Sequence, residues 1–255
     1  VWNKRRLMER NTQNENLVEG RNAVLETFRS GRSVDRLYVL DGCQDGPVKT
    51  IMREARKQKT VINYVERSRL DHLSETGKHQ GVIAIAAAYE YSTVEQMLEN
   101  ARSRGEAPFL ILLDGIEDPH NLGAIIRTAN QAGAHGVIIP KRRAVGLTAT
   151  VAKASAGALN YTPVARVTNL VSTMESLKKE GLWFVCADMG GTSMYDLDLK
   201  GSIGLVIGSE GEGVSRLVRE TCDFIAAIPM KGEIDSLNAS VAAGILAYEI
   251  VRQRG

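Results

Sequence analysis

The most constraining feature of this sequence is the regular alternation in its second half. Short apolar runs at 109–113, 137–139, 183–187, 205–207 and 225–228 are separated by amphipathic stretches that begin near Asn121, Thr148 and Val214, and a last one runs to Arg252. Strands separated by helices cannot be joined by tight hairpins; the crossovers favour a largely parallel sheet with helices packed on its faces. In such sheets ligands bind outside the carboxyl ends of the strands. The loops after these runs are therefore where functional residues are expected.

The first part of the chain has the same grain on a smaller scale. Runs at 37–40, 61–65 and 82–88 read as strands and 48–59 as an amphipathic helix, which predicts a small α/β domain over residues 17–91. Residues 1–16 are polar and aperiodic and are expected to form a mobile tail. Because the chain opens on Val1, its native start is expected further upstream. A polar helical stretch at 92–104 leads into Gly105-Glu106-Ala107-Pro108, which breaks the pattern; residues 92–107 are expected to be a linker, and 108–255 a second domain. No internal repeat is visible.

Bulk composition excludes little. With 32 Lys and Arg against 30 acidic residues, any surface for a polyanion must be local, as at Lys4, Arg5, Arg6 and Arg10, at Arg53, Arg56, Lys57 and Lys59, or at Lys141, Arg142 and Arg143. Cys43, Cys186 and Cys222 lie far apart, without a CxxC or a nearby His pair, which argues against zinc and against a disulfide framework. No apolar run approaches the roughly 18 residues of a membrane span, and the charged start resembles no secretory signal. A cytoplasmic protein without a metal is expected.

Three loops carry the candidate chemistry. The first follows 109–113 and contains Asp118-Pro119-His120-Asn121, where Asn121 is placed to cap a helix that buries Leu122, Ile125, Ile126 and Ala129 and turns Arg127 away from that stripe. Arg127 suits a phosphate clamp, and equally a surface arginine on an amphipathic helix. The second follows 205–207 and reads Gly208-Ser209-Glu210-Gly211-Glu212-Gly213. Its glycines let the backbone come close to a ligand or simply make a turn, and the pattern is not GxGxxG. The third follows 225–228 and ends in Ser236-Leu237-Asn238-Ala239-Ser240, a helix cap if read alone.

Taken together and in this order, Asn121 with Arg127, the 208–213 loop with Glu210, and the 236–240 segment resemble the three signature motifs of the SpoU (TrmH-like) family of RNA 2′-O-ribose methyltransferases. Gly20-Arg21-Asn22-Ala23-Val24 and His79-Gln80-Gly81-Val82 are similar to the substrate-binding domain of its 23S ribosomal RNA guanosine branch. The resemblance spans about residues 17–252. It implies a small α/β RNA-binding domain before a trefoil-knotted (SPOUT-type) catalytic domain, an exception to the avoidance of knots, and a homodimer.

The resemblance also implies S-adenosylmethionine as cofactor, its adenine held by backbone near Gly208, Ile228 and Leu237 and its edges lined by Gly211 and Met230. Arg127 would hold RNA phosphate and sugar, and Asn121, Glu210, Ser236 and Asn238 would orient the ribose and that arginine. Guanidinium is a poor base, so the group that removes the 2′-hydroxyl proton is left open, with His120 a second candidate. The expected substrate is a guanosine of 23S ribosomal RNA. The rivals are a transfer-RNA ribose, a non-catalytic RNA-binding ribosome-assembly factor, and a nucleotide-cofactor oxidoreductase, which would lack its fingerprint glycines.

Overall fold

The computed structural model describes residues 16–43, 45–233 and 236–255. Of the expected tail, residues 1–15 lie outside the described residues. Asn16 does not belong to a tail: its carbonyl accepts the Ala86 amide at 2.8 Å and its Oδ1 accepts from Arg32 at 3.1 Å. The chain divides into two units, one containing the described residues up to Glu90 together with Gly146–Thr150, the other Tyr91–Val145 and Val151–Gly255.

The first unit runs β1 (Leu17–Glu19), α1 (Arg21–Arg29), β2 (Val34–Leu40), α2 (Gly46–Lys57), β3 (Val61–Val65), α3 (Arg67–Leu73) and β4 (Val82–Ala86). Its sheet has the order β1-β4-β2-β3, with β4 antiparallel to both neighbours and β2 parallel to β3. Helix α2 forms where the sequence asks for it. Asp45 accepts the Val48 amide, Pro47 occupies the first turn, and Val48, Ile51 and Ala55 fall on one buried face. That face closes on Val24, Phe28, Leu37, Val39, Val82 and Ala84. Strand β1 and helices α1 and α3 carry too short an apolar pattern for the periodicity reading to find them.

The second unit runs α4 (Val94–Ser103), β5 (Phe109–Asp114), α5 (Pro119–Gln131), β6 (Gly136–Pro140), α6 (Ala149–Ala154, which begins in the segment grouped with the first unit), β7 (Val164–Val167), α7 (Leu170–Lys179), β8 (Trp183–Ser193), β9 (Ile203–Gly208), α8 (Arg216–Thr221), β10 (Phe224–Ala227) and α9 (Ala239–Arg254). All strand pairs in its sheet, order β10-β8-β9-β5-β6-β7, are parallel. Every residue of β5 is buried, as expected for a strand covered on both faces. The chain builds outward from β5 through β6 to β7, then crosses to β8 and returns to insert β9 beside β5. This brings the carboxyl ends of β8, β9 and β5 side by side.

Residues 92–107 do not form a linker. They contain α4, opened by a capping box in which Thr93 and Gln96 exchange side-chain and backbone hydrogen bonds. Met97 and Leu98 of α4 are buried in the second unit's core beside Leu110, Leu112 and Ile138, and Ala101 is buried as well. Gly136 gives α4 room there: a Cβ at that position would meet the Met97 side chain, which would have to shift. Strand β7 and helix α7 were also not anticipated; the four residues of β7 give too short a run. The last helix, α9, packs on α5 and β9. Its far end is held by buried Glu249, whose carboxyl is kept down at about 2 by the hydrogen bond from Arg252. No helix among the described residues is long and apolar enough to cross a membrane.

Candidate functional site

Strand β5 ends in a single acid, Asp114, which is buried. Its Oδ2 accepts the Ser215 amide at 2.8 Å and its Oδ1 faces Arg143 at 3.5 Å. One carboxylate thus ties the loop after β9 to the end of its neighbour strand. Within that loop Ser209 and Gly213 exchange backbone hydrogen bonds at 3.2 and 3.0 Å, closing a tight turn. Gly208 is required by the turn itself: a Cβ there would collide with the backbone of Gly213 and Val214. Gly211 differs, since nothing lies within 4 Å of its Cβ position.

This loop forms one wall of a cleft of about 320 Å³ over the carboxyl ends of β8, β9 and β10. All five positions expected to hold a cofactor, Gly208, Gly211, Ile228, Met230 and Leu237, line it, as do Glu210 and Ser236. Ile207, Val214 and Ala226 supply apolar surface, and Asp188 a carboxylate. Asp188 is fixed by Arg219 Nε at 2.8 Å and by the Gly190 amide at 3.4 Å. Ile234 and Asp235 of the third loop lie outside the described residues.

Asn121, Glu210 and Asn238 meet. Asn238, not Ser236, caps α9, with its Oδ1 accepting the amides of Ser240 at 3.0 Å and Val241 at 3.3 Å. That cap fixes which way the amide faces, so Nδ2 must point out of the helix. It donates to Asn121 Oδ1 at 2.9 Å and to Glu210 Oε1 at 2.5 Å. Asn121 Nδ2 completes the ring with a 2.8 Å bond to the same Glu210 oxygen. Glu210 Oε2 makes no hydrogen bond to a described residue.

One expectation needs correction. The cap of α5 is Asp118, whose Oδ1 accepts the His120 amide, with Pro119 in the first turn. Asn121 is therefore already helical, which leaves its side chain to bond across the site. Arg127 makes no hydrogen bond to the ring residues. Six residues beyond Asn121 it lies about 240° around the helix, exposed, with no hydrogen bond or ion pair to a described residue, and it does not line the cleft. His120 is exposed as well. Asp188 and Ser209 lie just after apolar runs, where functional residues were expected, but were given no role of their own; Asp114 was missed, and its one signal was an acid closing an otherwise apolar strand.

A parallel sheet with an apolar cleft over its strand ends, a glycine turn on one side and a polar ring beside it defines an α/β domain built to hold a small organic cofactor next to a polar reactant. The SpoU rRNA Methylase family is matched over residues 108–248, and the family described as RNA 2'-O ribose methyltransferase substrate binding over 17–92. The chain belongs to the SpoU family. It is 49% identical over 244 residues to YacO of Bacillus subtilis strain 168, assigned to the TrmH family of tRNA/rRNA methyltransferases, covering 95% of this chain and 98% of that one. Among solved structures it resembles the SpoU methyltransferase AviRb from Streptomyces viridochromogenes in complex with AdoMet, with 27% identity, a TM-score of 0.58, and 93% and 90% of the two chains covered. The A. aeolicus TrmH/SpoU tRNA modifying enzyme is 28% identical with a TM-score of 0.53, over 63% of this chain and 83% of that one.

Proposed function

We propose that this protein transfers a methyl group from S-adenosylmethionine to a ribose 2′-oxygen in structured RNA, at a guanosine of 23S ribosomal RNA, and that it does so as a cytoplasmic homodimer. The observation that carries the reading is the cleft with the Asn121–Glu210–Asn238 ring bonded to its wall. The residues present fit the cofactor: Ile207, Ala226, Ile228 and Leu237 offer apolar surface to a purine, and the open space at Gly211 admits a ligand edge. AviRb, with AdoMet bound, supports the same choice. When bound, S-adenosylmethionine supplies an electrophilic methyl group on a sulfonium.

The chain's own contribution is alignment. Glu210, held through Oε1 by two amides, presents Oε2 to a ribose hydroxyl. Ser236 stands on the same wall. Arg127, exposed and unengaged by described residues, takes an RNA phosphate. The return of the chain from the edge strand β10 to α9 against β9 is a path of the kind the family's trefoil knot requires. A transfer-RNA substrate is the second reading, favoured by the likeness to the A. aeolicus enzyme.

The deciding experiment incubates the protein with labelled S-adenosylmethionine and unmodified 23S ribosomal RNA or transfer-RNA transcripts, followed by alkaline hydrolysis. A 2′-O-methyl group blocks attack on the neighbouring phosphate, so label in an alkali-resistant dinucleotide is expected from the ribosomal transcript. Label in alkali-sensitive mononucleotides would overturn the ribose assignment, and label only in transfer RNA would favour the second reading.

A further inference from the structure

The first unit has a groove of about 580 Å³ that no role above uses, bounded by the turn after β2, one face of α2, and β3. Its residues include Asp41, Lys49, Met52, Arg56 and Tyr64. Lys49, Met52 and Arg56 follow one another at helical spacing, which places two cations two turns apart on the same face of α2. Tyr64 is 53% exposed, although the rest of β3 is at least partly buried. A large aromatic ring left open in a groove that two cations also line has no part in the core.

The local charge is sorted to keep those cations available. Glu54, on the same helix, is taken by Lys57 at 3.1 Å and by Arg53 at 3.4 Å, and Asp45 by Arg21 at 2.6 Å. The side chains of Lys49 and Arg56 make no ion pair or hydrogen bond to a described residue. The remaining acid, Asp41, has one oxygen on the Gly42 amide at 2.9 Å, leaving the other to accept a hydrogen bond. A ring to stack on, two cations for phosphates and one acceptor match an unpaired nucleotide with its flanking backbone, since unstacked bases in loops and bulges are what proteins read in RNA. A duplex would leave the ring unused.

We propose that this groove binds a single-stranded segment of the substrate RNA, with a base stacked on Tyr64, phosphates on Lys49 and Arg56, and Asp41 accepting from a base amino group or a 2′-hydroxyl. The proposal rests on RNA being the substrate and adds where, and in which form, the first unit holds it.

The test uses the full chain, with Tyr64→Ala, Tyr64→Phe and the double variant Lys49→Gln/Arg56→Gln. Binding of unmodified 23S ribosomal RNA and transfer-RNA transcripts is measured by filter retention across a salt series, beside calorimetric S-adenosylmethionine affinity. Tyr64→Ala is expected to weaken RNA binding by about 10-fold and Tyr64→Phe to restore it. The double variant should flatten the slope of log affinity against log salt by about 1.4, two single-strand phosphate contacts. Cofactor affinity should not change. RNA binding unaltered in Tyr64→Ala, or a salt slope unaltered in the double variant, overturns the groove. RNA binding that depends on Tyr64 without methyl transfer by the wild type would leave the groove standing and overturn the catalytic reading. A wild type that binds neither transcript would overturn both.

Discussion

Asn238 has two jobs on one side chain, and they can be separated. Asn238→Asp keeps an oxygen for the Ser240 and Val241 amides and places negative charge at a helix N-terminus, where it is favourable. The same change removes the Nδ2 donor and sets a second carboxylate against Glu210 Oε1. Thermal stability is expected to stay within a few degrees of wild type, while single-turnover methyl transfer falls by at least ~10-fold. Unchanged transfer would show that the ring is only a structural clasp. For Gly208→Ala, collision with Gly213 and Val214 must open the turn. Cofactor affinity by calorimetry should drop by ~10-fold or more while the sheet's circular dichroism is retained, because Gly208 is the last paired residue of β9 and the atoms it would strike, in Gly213 and Val214, lie in the loop. Arg127→Ala should stop methylation without weakening the cofactor, and Arg127→Lys should recover little, since an ammonium lacks the planar fork.

At the scale of elements, the start of β5 depends on a neutral imidazole. His135 is buried; its Nδ1 accepts the Phe109 amide at 3.0 Å, so its proton sits on Nε2, facing Glu106 at 3.0 Å. Burial pushes its pKa below the ordinary 6.5, an effect only partly offset by Glu106. A lowered histidine pKa means the folded state prefers the neutral form. The stability it contributes is fully present above the unfolded value, about 6.5, and is lost as pH falls through the lower folded value. His135→Asn keeps an acceptor near the Phe109 amide and cannot titrate there. Its melting temperature should therefore fall less than the wild type's as pH is lowered below about 6.5. A parallel decline in both would remove His135 from the acid response. Helix α4 makes a second prediction. A fragment beginning at Pro108 loses Met97 and Leu98 from the second unit's core, and burial of the first alone is worth ~2–5 kcal/mol. A fragment from Tyr91 to Gly255 should fold and bind S-adenosylmethionine, whereas one from Pro108 should be far less stable in urea; equal midpoints would show α4 to be dispensable.

At the scale of the whole molecule, α9 is apolar around much of its circumference yet leaves Val241 and Tyr248, seven residues apart on one face, about half exposed. A second copy of the chain covering that stripe fits the proposed homodimer. Light scattering should give twice 27.8 kDa, and Tyr248→Asp should shift the mass toward the single chain; a wild-type mass of one chain at micromolar concentration would reject the dimer.

Much of this was legible in the sequence, for reasons that are local. Continuous apolar runs, and helix faces set by a repeat of 3.6, identify β5, β6, β8, β9 and β10 with α5, α6, α8 and α9, because each pattern is complete within about ten residues. The loops after the strands could be singled out on the same basis, and the cofactor positions expected there do line one cleft. Tertiary structure alone decided that α4 belongs to the second core, that Asp118 rather than Asn121 caps α5, and that Asn121, Glu210 and Asn238 bond to one another. It also decided that β9 lies between β8 and β5, which lets Asn121 bond to residues 89 and 117 positions away. Periodicity reports which face of an element is apolar; it carries no information about which distant element covers that face. Strand order, and with it the site, is settled by how the layers pack.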